Sequence, residues 1–492
     1  AALFGQLQQH TLARSTGPWV VALDDSATRK TGRRIPGCGW RRDPLSPPFH
    51  VNFHWGQRVL QCSAALPAPD GSARLVPIDW TEAPLPKKPS RQAGPEEQAA
   101  YAEARRQANL NLLAARRLAH LRTVTDRPIH FVVDGRFTNR TVLRQLPDNT
   151  VIIGRIRKDT KLYAPVAPTK RPGRPRRYGE VGPTPEELRT DEKIPWQQVP
   201  AWAIDRAHPF KLKATGPVMA RIRGVTAPVR IVVIAPLGYR LRQGSRLLYR
   251  QPAYLLCTDP ELPLECILQE YLWRWDIEVN FRDEKCLLGV SEAQLRQPEA
   301  VQRQPAGAVA AYGFLLLAAH DAYGHNGRPP AVPLPRWRRR EPPRRPTTGL
   351  LLSQLRVGTG GDPQLDQRGR GDPRVELPQP VEQQPVLLAH RVRTLRRLRD
   401  QLVDQLVGDV PQRLYDQLGF GREVVSLRAA SHAGAGNHGG RREVGVADLV
   451  ELLQRGVEQR AAGRRAPFRL GTPRPSAARR AARCGGRGEF GL

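Results

Sequence analysis

Cysteine pairs and long apolar runs are both missing from this chain of 492 residues. Its six cysteines are scattered and none forms a C-x2-C pair, which argues against a zinc site or a disulfide framework and favours a reducing compartment. The longest apolar run, AGAVAAYGFLLLAAH, is too short and too rich in Ala and Gly to span a bilayer, so we interpret it as a buried helix. We therefore expect a cytoplasmic protein that does not contact a membrane.

Acidic residues are also scarce relative to basic ones. The chain has 46 Asp and Glu against 78 Lys and Arg, which gives a formal net charge of +32 and a pI of about 11.0. This excess favours a polyanionic partner, with nucleic acid preferred over a membrane, and an association with the nucleoid. Codon bias contributes as well, because every cation after Lys285 is Arg.

Methionine is almost absent, and Met219 is the only one. The chain starts without an initiator methionine, so we interpret it as a fragment or a partial gene product. Its length allows two or three domains.

Two buried strands are predicted to end in an acidic residue. The stretch PWVVALDDS predicts a strand at about Trp19–Leu23 followed by Asp24, and RPIHFVVDG predicts a strand at Ile129–Val133 followed by Asp134. Other predicted elements are a helix at about Glu96–Arg122 and strands within residues 49–66, 150–163, 228–238 and 252–263. Beyond about residue 325, Pro, Gly and Arg predominate and predict disorder, interrupted by one amphipathic helix around residues 395–406.

The stretch YLWRWDIEVNFRDEK predicts a helix that gathers polar groups on one face. At about 100° per residue, four side chains fall within about 60° of one another: Tyr271, Arg274, Glu278 and Lys285. An apolar stripe beside them would pack against a sheet: Ile277, Phe281 and Leu288. The alternative is a solvated face of ion pairs.

Asp24, Asp134 and Glu278 form a candidate metal site, because two strand ends and a packed helix meet at a sheet edge. Carboxylate oxygens suit Mg²⁺, with Mn²⁺ a possible substitute. Two such ions about 4 Å apart would clamp the attacking and leaving oxygens of a phosphoryl transfer. Taken singly, each Asp is more commonly a turn residue.

The neighbours of Glu278 are candidate DNA contacts. Arg274 and Lys285 would hold phosphates beside the reacting one, and Tyr271 would donate a hydrogen bond to a phosphate oxygen. Trp275, or Trp273, would offer a ring on which an unpaired base stacks. The motif PGRPRR at residues 172–177 resembles a minor-groove AT-hook, although a basic loop that follows phosphates is the preferred interpretation.

These motifs resemble those of a bacterial insertion-sequence DDE transposase superfamily, the IS-four type. Its signature Y-x2-R-x3-E-x6-K is matched without a gap by Tyr271, Arg274, Glu278 and Lys285. LDDS resembles its first Asp motif, FVVDGRF resembles its second, and the similarity extends over roughly residues 19–356. Asp24 is preferred over Asp25 because Ser26 then occupies the Ser/Thr position of the motif.

The resemblance implies an α/β fold of the RNase H type, with a mixed five-stranded sheet flanked by helices and a β-rich insertion before the Glu helix. On that basis, four segments are expected: residues 15–150 with both Asp, the insertion at 151–258, catalytic-domain helices at 259–325, and a basic tail at 326–492 that is largely disordered.

It also implies an activity. Asp24, Asp134 and Glu278 would be both catalytic residues and ligands of two Mg²⁺ ions. The protein would cut the terminal inverted repeats of its element and join them to double-stranded target DNA, as a homodimer on paired ends. Two alternatives remain: a catalytically defective DNA-binding remnant, or an RNase H-like nuclease without strand transfer.

Overall fold

The computed structural model describes residues 1–43, 46, 49–166, 176–203, 206–239, 246, 248–293, 295–325 and 345–358. The helices within these ranges are α1 (Ala2–Arg14), α2 (Pro95–Gln107), α3 (Leu110–Arg122), α4 (Arg140–Arg144), α5 (Pro185–Thr190), α6 (Leu264–Trp273), α7 (Asp276–Cys286), α8 (Pro298–Tyr323) and α9 (Thr348–Gly358). The strands are β1 (Trp19–Arg29), β2 (Gly39–Arg42), β3 (Phe53–Pro67), β4 (Ala73–Glu82), β5 (Ile129–Val133), β6 (Thr150–Arg155), β7 (Leu162–Tyr163), β8 (Val181–Gly182), β9 (Gln197–Ala203), β10 (Arg206–Ala220), β11 (Val229–Ile234), β12 (Gly238–Tyr239), β13 (Leu248–Tyr249) and β14 (Ala253–Cys257).

The described strands form a twelve-stranded mixed sheet, with β12 and β13 as a separate pair. In its first part, β4, β3 and β1 are antiparallel, and β1, β5 and β6 are parallel. A mixed sheet flanked by helices is consistent with the RNase H-like fold that the resemblance implies. The predicted strand at Ile129–Val133 is present as β5, whereas β1 is longer than predicted because β3 continues to pair with it as far as Arg29.

The sheet has more than the five strands expected, because the later strands join the same sheet. β14 pairs antiparallel with β6, and β11 and β10 follow in turn. The hairpin of β9 and β10 was not predicted. Pro200 lies opposite Pro209 in it, and proline lacks the N–H that strand pairing uses, so both segments appear non-strand from sequence.

Two helices predicted as continuous are each divided. The helix expected at Glu96–Arg122 is split into α2 and α3, because the Asn109 side chain accepts hydrogen bonds from two N–H groups and caps a new helix. The helix expected through Tyr271 and Lys285 ends as α6 at Trp273 and restarts as α7 at Asp276. Buried residues of α6 and α7 pack into the core cluster of the sheet.

The described residues up to Leu317 belong to one compact unit, and those from Ala318 to a second. In the second unit, α9 is a helix that the sequence did not predict. The remainder of the expected disordered tail, and the helix expected around residues 395–406, lie outside the described residues. Among the helices described, none combines the length and apolarity needed to cross a bilayer.

Candidate active site

Asp24 and Asp134 lie at the same edge of the sheet. The parallel pairing of β1 with β5 stops one residue before each acid, so Asp24 and Asp134 follow the same end of this pairing, although β1 itself continues to Arg29. Oδ1 of Asp24 accepts a hydrogen bond of 2.8 Å from the N–H of Asp25, and Oδ1 of Asp134 accepts one of 2.9 Å from the N–H of Arg136. These local bonds fix the direction of each carboxyl at the edge.

Glu278 reaches this edge from the first turn of α7. Together with Asp24, Asp134 and Arg274, it lines a cleft of about 940 Å³. Arg274 lies at the junction of α6 and α7, and its side chain is only 9% exposed. Its Nη1 lies 3.1 Å from Oδ2 of Asp24, and its Nη2 lies 3.6 Å from Oε1 of Glu278. One guanidinium therefore joins a strand-end acid to the helical acid.

Burial in the cleft disfavours the ionised forms of its three acids. Burial raises the pKa of Asp24 to about 7, against the opposing effect of Arg274, and the charge of Asp134 adds to the rise. Burial also raises the pKa values of Asp134 and Glu278. For Arg274, burial acts to lower the pKa, but the neighbouring phenol and carboxyls outweigh it and raise that pKa. A further cation in this cleft would be stabilised.

The chemistry of the three acids fits a divalent ion, because their carboxylate oxygens are the hard ligands that such ions prefer. The three carboxyls are too far apart in this structure to form a complete ligand shell. Over the ranges that the structure describes, no three His, Cys, Asp or Glu side chains lie close enough to hold an ion jointly. The Arg274 guanidinium lies between Asp24 and Glu278 and keeps these carboxyls apart.

Asp25, the competing acid of the LDDS motif, has other partners. Its Oδ2 accepts a hydrogen bond of 2.7 Å from Nε of Arg58, and its Oδ1 lies 3.3 Å from Nε of Arg136. Asp25 is absent from the cleft lining. The structure thus places Asp24 in the cleft and engages Asp25 with two arginines.

The other predicted contact residues lie around the cleft rather than on its wall. Tyr271 is 3% exposed and its ring lies 5.7 Å from the guanidinium of Arg274. Trp275 is half-buried at the start of α7. Nζ of Lys285 donates to Oγ of Ser26 at 2.6 Å and to the carbonyl of Ala27 at 3.0 Å, so this lysine holds β1 just beyond Asp24.

Trp273, the other stacking candidate, has a structural contact. Its Nε1 donates a hydrogen bond of 2.9 Å to the carbonyl of Gly71, and its ring packs against the core cluster. The motif PGRPRR lies largely outside the described residues.

A group of cations that the sequence did not single out also lines the cleft: Arg155, Arg157, Lys161 and Arg221. Arg157 pairs with Asp159, whereas the other three have no carboxylate within ion-pair distance among the described residues. The signal in the sequence is the basic run RIRKDTK, which begins at the last residue of β6 and which the strand pattern alone assigns to a strand.

Arg155 is positioned by the close packing of β6 on the loop after Asp134. A Cβ atom on Gly154 would lie 2.2 Å from Oγ1 of Thr138 and 2.8 Å from Cγ2 of Val133, so only glycine allows this approach. Acids and a cation therefore follow one another across three parallel strands, with Asp24 in β1 just after its pairing with β5 ends, Asp134 after β5 and Arg155 closing β6.

A comparison with known families covers the part of the chain that contains Asp24 and Asp134. Residues 1–207 match the family model described as DDE superfamily endonuclease. The match supports a DDE transposase-type family; it includes both Asp24 and Asp134 and ends before α7, so it does not reach Glu278. No curated protein matches the chain. An endonuclease superfamily implies a DNA substrate, in agreement with the charge of the chain.

Proposed function

We propose that this protein is a DNA transposase of a bacterial insertion sequence, which cuts the ends of its element and joins them to target DNA. The observation that carries the proposal is the cleft lined by Asp24, Asp134 and Glu278, in which Arg274 pairs with Asp24 and Glu278. The match to the DDE superfamily endonucleases over residues 1–207 and the Y-x2-R-x3-E-x6-K signature add to it.

Asp24, Asp134 and Glu278 would hold Mg²⁺, as one or two ions, with Mn²⁺ a substitute. When bound, such an ion lowers the pKa of the attacking hydroxyl and stabilises charge on the phosphate. Arg155, Arg157, Lys161 and Arg221, which line the cleft, bind the flanking phosphates. Arg274 favours the ionised form of the acids, and Lys285 acts by positioning β1. The ring of Tyr271 lies beside the guanidinium of Arg274 and helps to position it. Trp275 remains the proposed ring on which an unpaired base stacks.

The decisive experiment uses the full chain, a labelled duplex that carries an element end, and a supercoiled plasmid. Mg²⁺-dependent joining of the label to the plasmid is expected. Nicking without joining would indicate the nuclease alternative, and binding without either reaction would indicate a catalytically defective remnant. Sedimentation with and without paired ends tests the proposed homodimer.

Asp25→Asn is expected to retain DNA cutting within about threefold, because Asp25 bonds to Arg58 and Arg136 outside the cleft. It should lower the free energy of unfolding by about 1–2 kcal/mol, since a hydrogen bond to a charged group is weakened. Cleavage of a labelled duplex and denaturant unfolding measure the two effects. The matched variant is Asp24→Asn, which should lose cutting; the reverse pattern would transfer the catalytic role to Asp25.

The double variant Lys161→Ala/Arg221→Ala is expected to weaken DNA binding and to reduce the dependence of affinity on salt. Each lost phosphate contact should lower the slope of log K against log salt by about 0.9. Fluorescence anisotropy over a range of salt concentrations, without divalent ions, measures this slope. Lys193→Ala/Arg105→Ala removes two exposed cations elsewhere and should leave it unchanged; equal slopes for both double variants would contradict a phosphate-binding role.

A further inference from the structure

An arm extends from the acidic edge of the sheet. We define it as residues 25–43 and 49–58, which comprise β1 beyond Asp24, β2 and the first part of β3. From Asp25 onward, β1 pairs only with β3 among the described strands, and this pairing ends at the Arg29–Gly56 pair. Beyond that pair, from Trp55 back to Phe53, β3 pairs with β2 alone among the described strands.

Interior contacts give the arm a defined shape. Nη2 of Arg41 donates a hydrogen bond of 2.7 Å to the carbonyl of Ala83, and Nε1 of Trp55 donates one of 3.0 Å to the carbonyl of Gly32. Gly56 lets β1 pass closely, because a Cβ atom there would lie 2.2 Å from the carbonyl oxygen of Thr28. The arm is therefore a built element of the sheet.

Exposed apolar side chains concentrate on this arm. Seven large hydrophobic residues are exposed in the described part of the chain, and four of them lie here: Trp40, Phe49, Val51 and Phe53. Phe49 is 90% exposed and Phe53 62%. Exposed apolar residues that occur singly are normal on a protein surface, but a concentration of them in one short segment indicates a binding surface.

Positive charge accompanies the rings. The arm carries six arginines: Arg29, Arg33, Arg34, Arg41, Arg42 and Arg58. Its lysine, Lys30, is buried and donates to the carbonyls of Ser291 and Ala293. Its two acids, Asp25 and Asp43, are both paired with arginines of the arm. The guanidinium of Arg33 lies 4.8 Å from the ring of Trp40 and 4.9 Å from that of Trp55. A second copy of this surface would meet it with like charge, whereas a polyanion would be attracted.

Spacing relates the arm to the cleft. Asp24 pairs with Gln61, and the last β2–β3 pair joins Arg42 to Phe53. At about 3.3 Å per residue, the eight residue steps along β3 from Phe53 to Gln61 span about 26 Å. Duplex DNA rises about 3.4 Å per base pair, so this length corresponds to about seven or eight base pairs.

We propose that the arm binds duplex DNA about seven or eight base pairs from the phosphodiester held at Asp24. Arginines contact the backbone, and the exposed rings of Phe49 and Phe53 pack against sugars and bases. This assignment rests on the proposed function, since it takes DNA in the cleft as its reference point.

The test compares full-length Phe49→Ala/Phe53→Ala with Val181→Ala, which removes an exposed apolar side chain outside the arm. Binding is measured by anisotropy with a 24-base-pair duplex and with a hairpin-capped duplex of six base pairs, both without divalent ions. On the long duplex, the arm variant should bind at least tenfold more weakly, and Val181→Ala should match the natural protein. On the short duplex, which cannot reach both surfaces, the difference should shrink below threefold.

Other outcomes overturn the proposal in distinct ways. An unchanged affinity of the arm variant, together with a change from dimer to monomer in sedimentation, would assign the rings to self-association. An equal loss of affinity for the long and the short duplex would contradict the proposed distance between the arm and the cleft. If the arm variant binds DNA normally and the natural protein cuts DNA, the arm proposal fails and the proposed function stands. If the natural protein does not cut DNA but the arm variant binds DNA more weakly as expected, only the catalytic proposal fails.

Discussion

Glu278→Gln is expected to abolish Mg²⁺-dependent DNA cutting while DNA affinity changes little. The side chain of Glu278 is 42% exposed, and glutamine has the same shape, so the fold should tolerate the change. Loss of one carboxylate removes the negative charge that would hold a divalent ion, whose stabilisation of the transition state amounts to several kcal/mol. The expected fall in rate is therefore on the order of 10³-fold or more.

Single-turnover cleavage of a labelled duplex over a range of Mg²⁺ concentrations measures the effect. Glu265→Gln is the matched control, because Glu265 is an exposed acid on α6 outside the cleft lining. Full activity in Glu278→Gln would exclude this residue from the chemistry. Equal losses in both variants would point to an effect of net charge on DNA binding instead.

The positions of the acids could be predicted because each follows a strong local pattern. Asp24 and Asp134 follow short apolar runs, and a short apolar run of this kind is typical of a buried strand. Glu278 was found from helical spacing, although the helix restarts just before it. That restart was not predictable from periodicity, because Arg274 and Trp275 keep nearly helical backbone angles across the junction.

The rest depends on contacts between distant segments. The ion pair of Arg274 with Asp24 joins residues 250 positions apart, and no sequence pattern specifies it. Arg155 and Lys161 belong to the cleft because β6 lies beside β5, a matter of sheet order. The arm was missed for a related reason: its pairing continues past Asp24, where the apolar run that predicted β1 has already ended.

Arg274→Met should destabilise the protein by about 3 kcal/mol at pH 8.5, within the usual cost of removing one partner from a buried ion pair. Asp24 would then be a carboxylate that is 15% exposed and has lost its cation. The cost should depend on pH. Because the pKa of Asp24 in the folded protein is raised to about 7, this acid is mostly neutral at pH 5 in both proteins, and the difference in unfolding free energy should shrink to about 1 kcal/mol.

The sign follows from the direction of the shift. A carboxyl whose folded pKa lies above its unfolded value stabilises the fold at low pH, and this contribution is lost as the pH rises through the folded pKa. Removing Arg274 raises the pKa of Asp24 further, so the variant loses more stability than the natural protein between pH 7 and 8.5. Denaturant unfolding at pH 5 and 8.5 measures it, with Arg282→Met as the control because that arginine is 65% exposed on α7. A loss that is equal at both pH values would show that Arg274 contributes packing rather than charge.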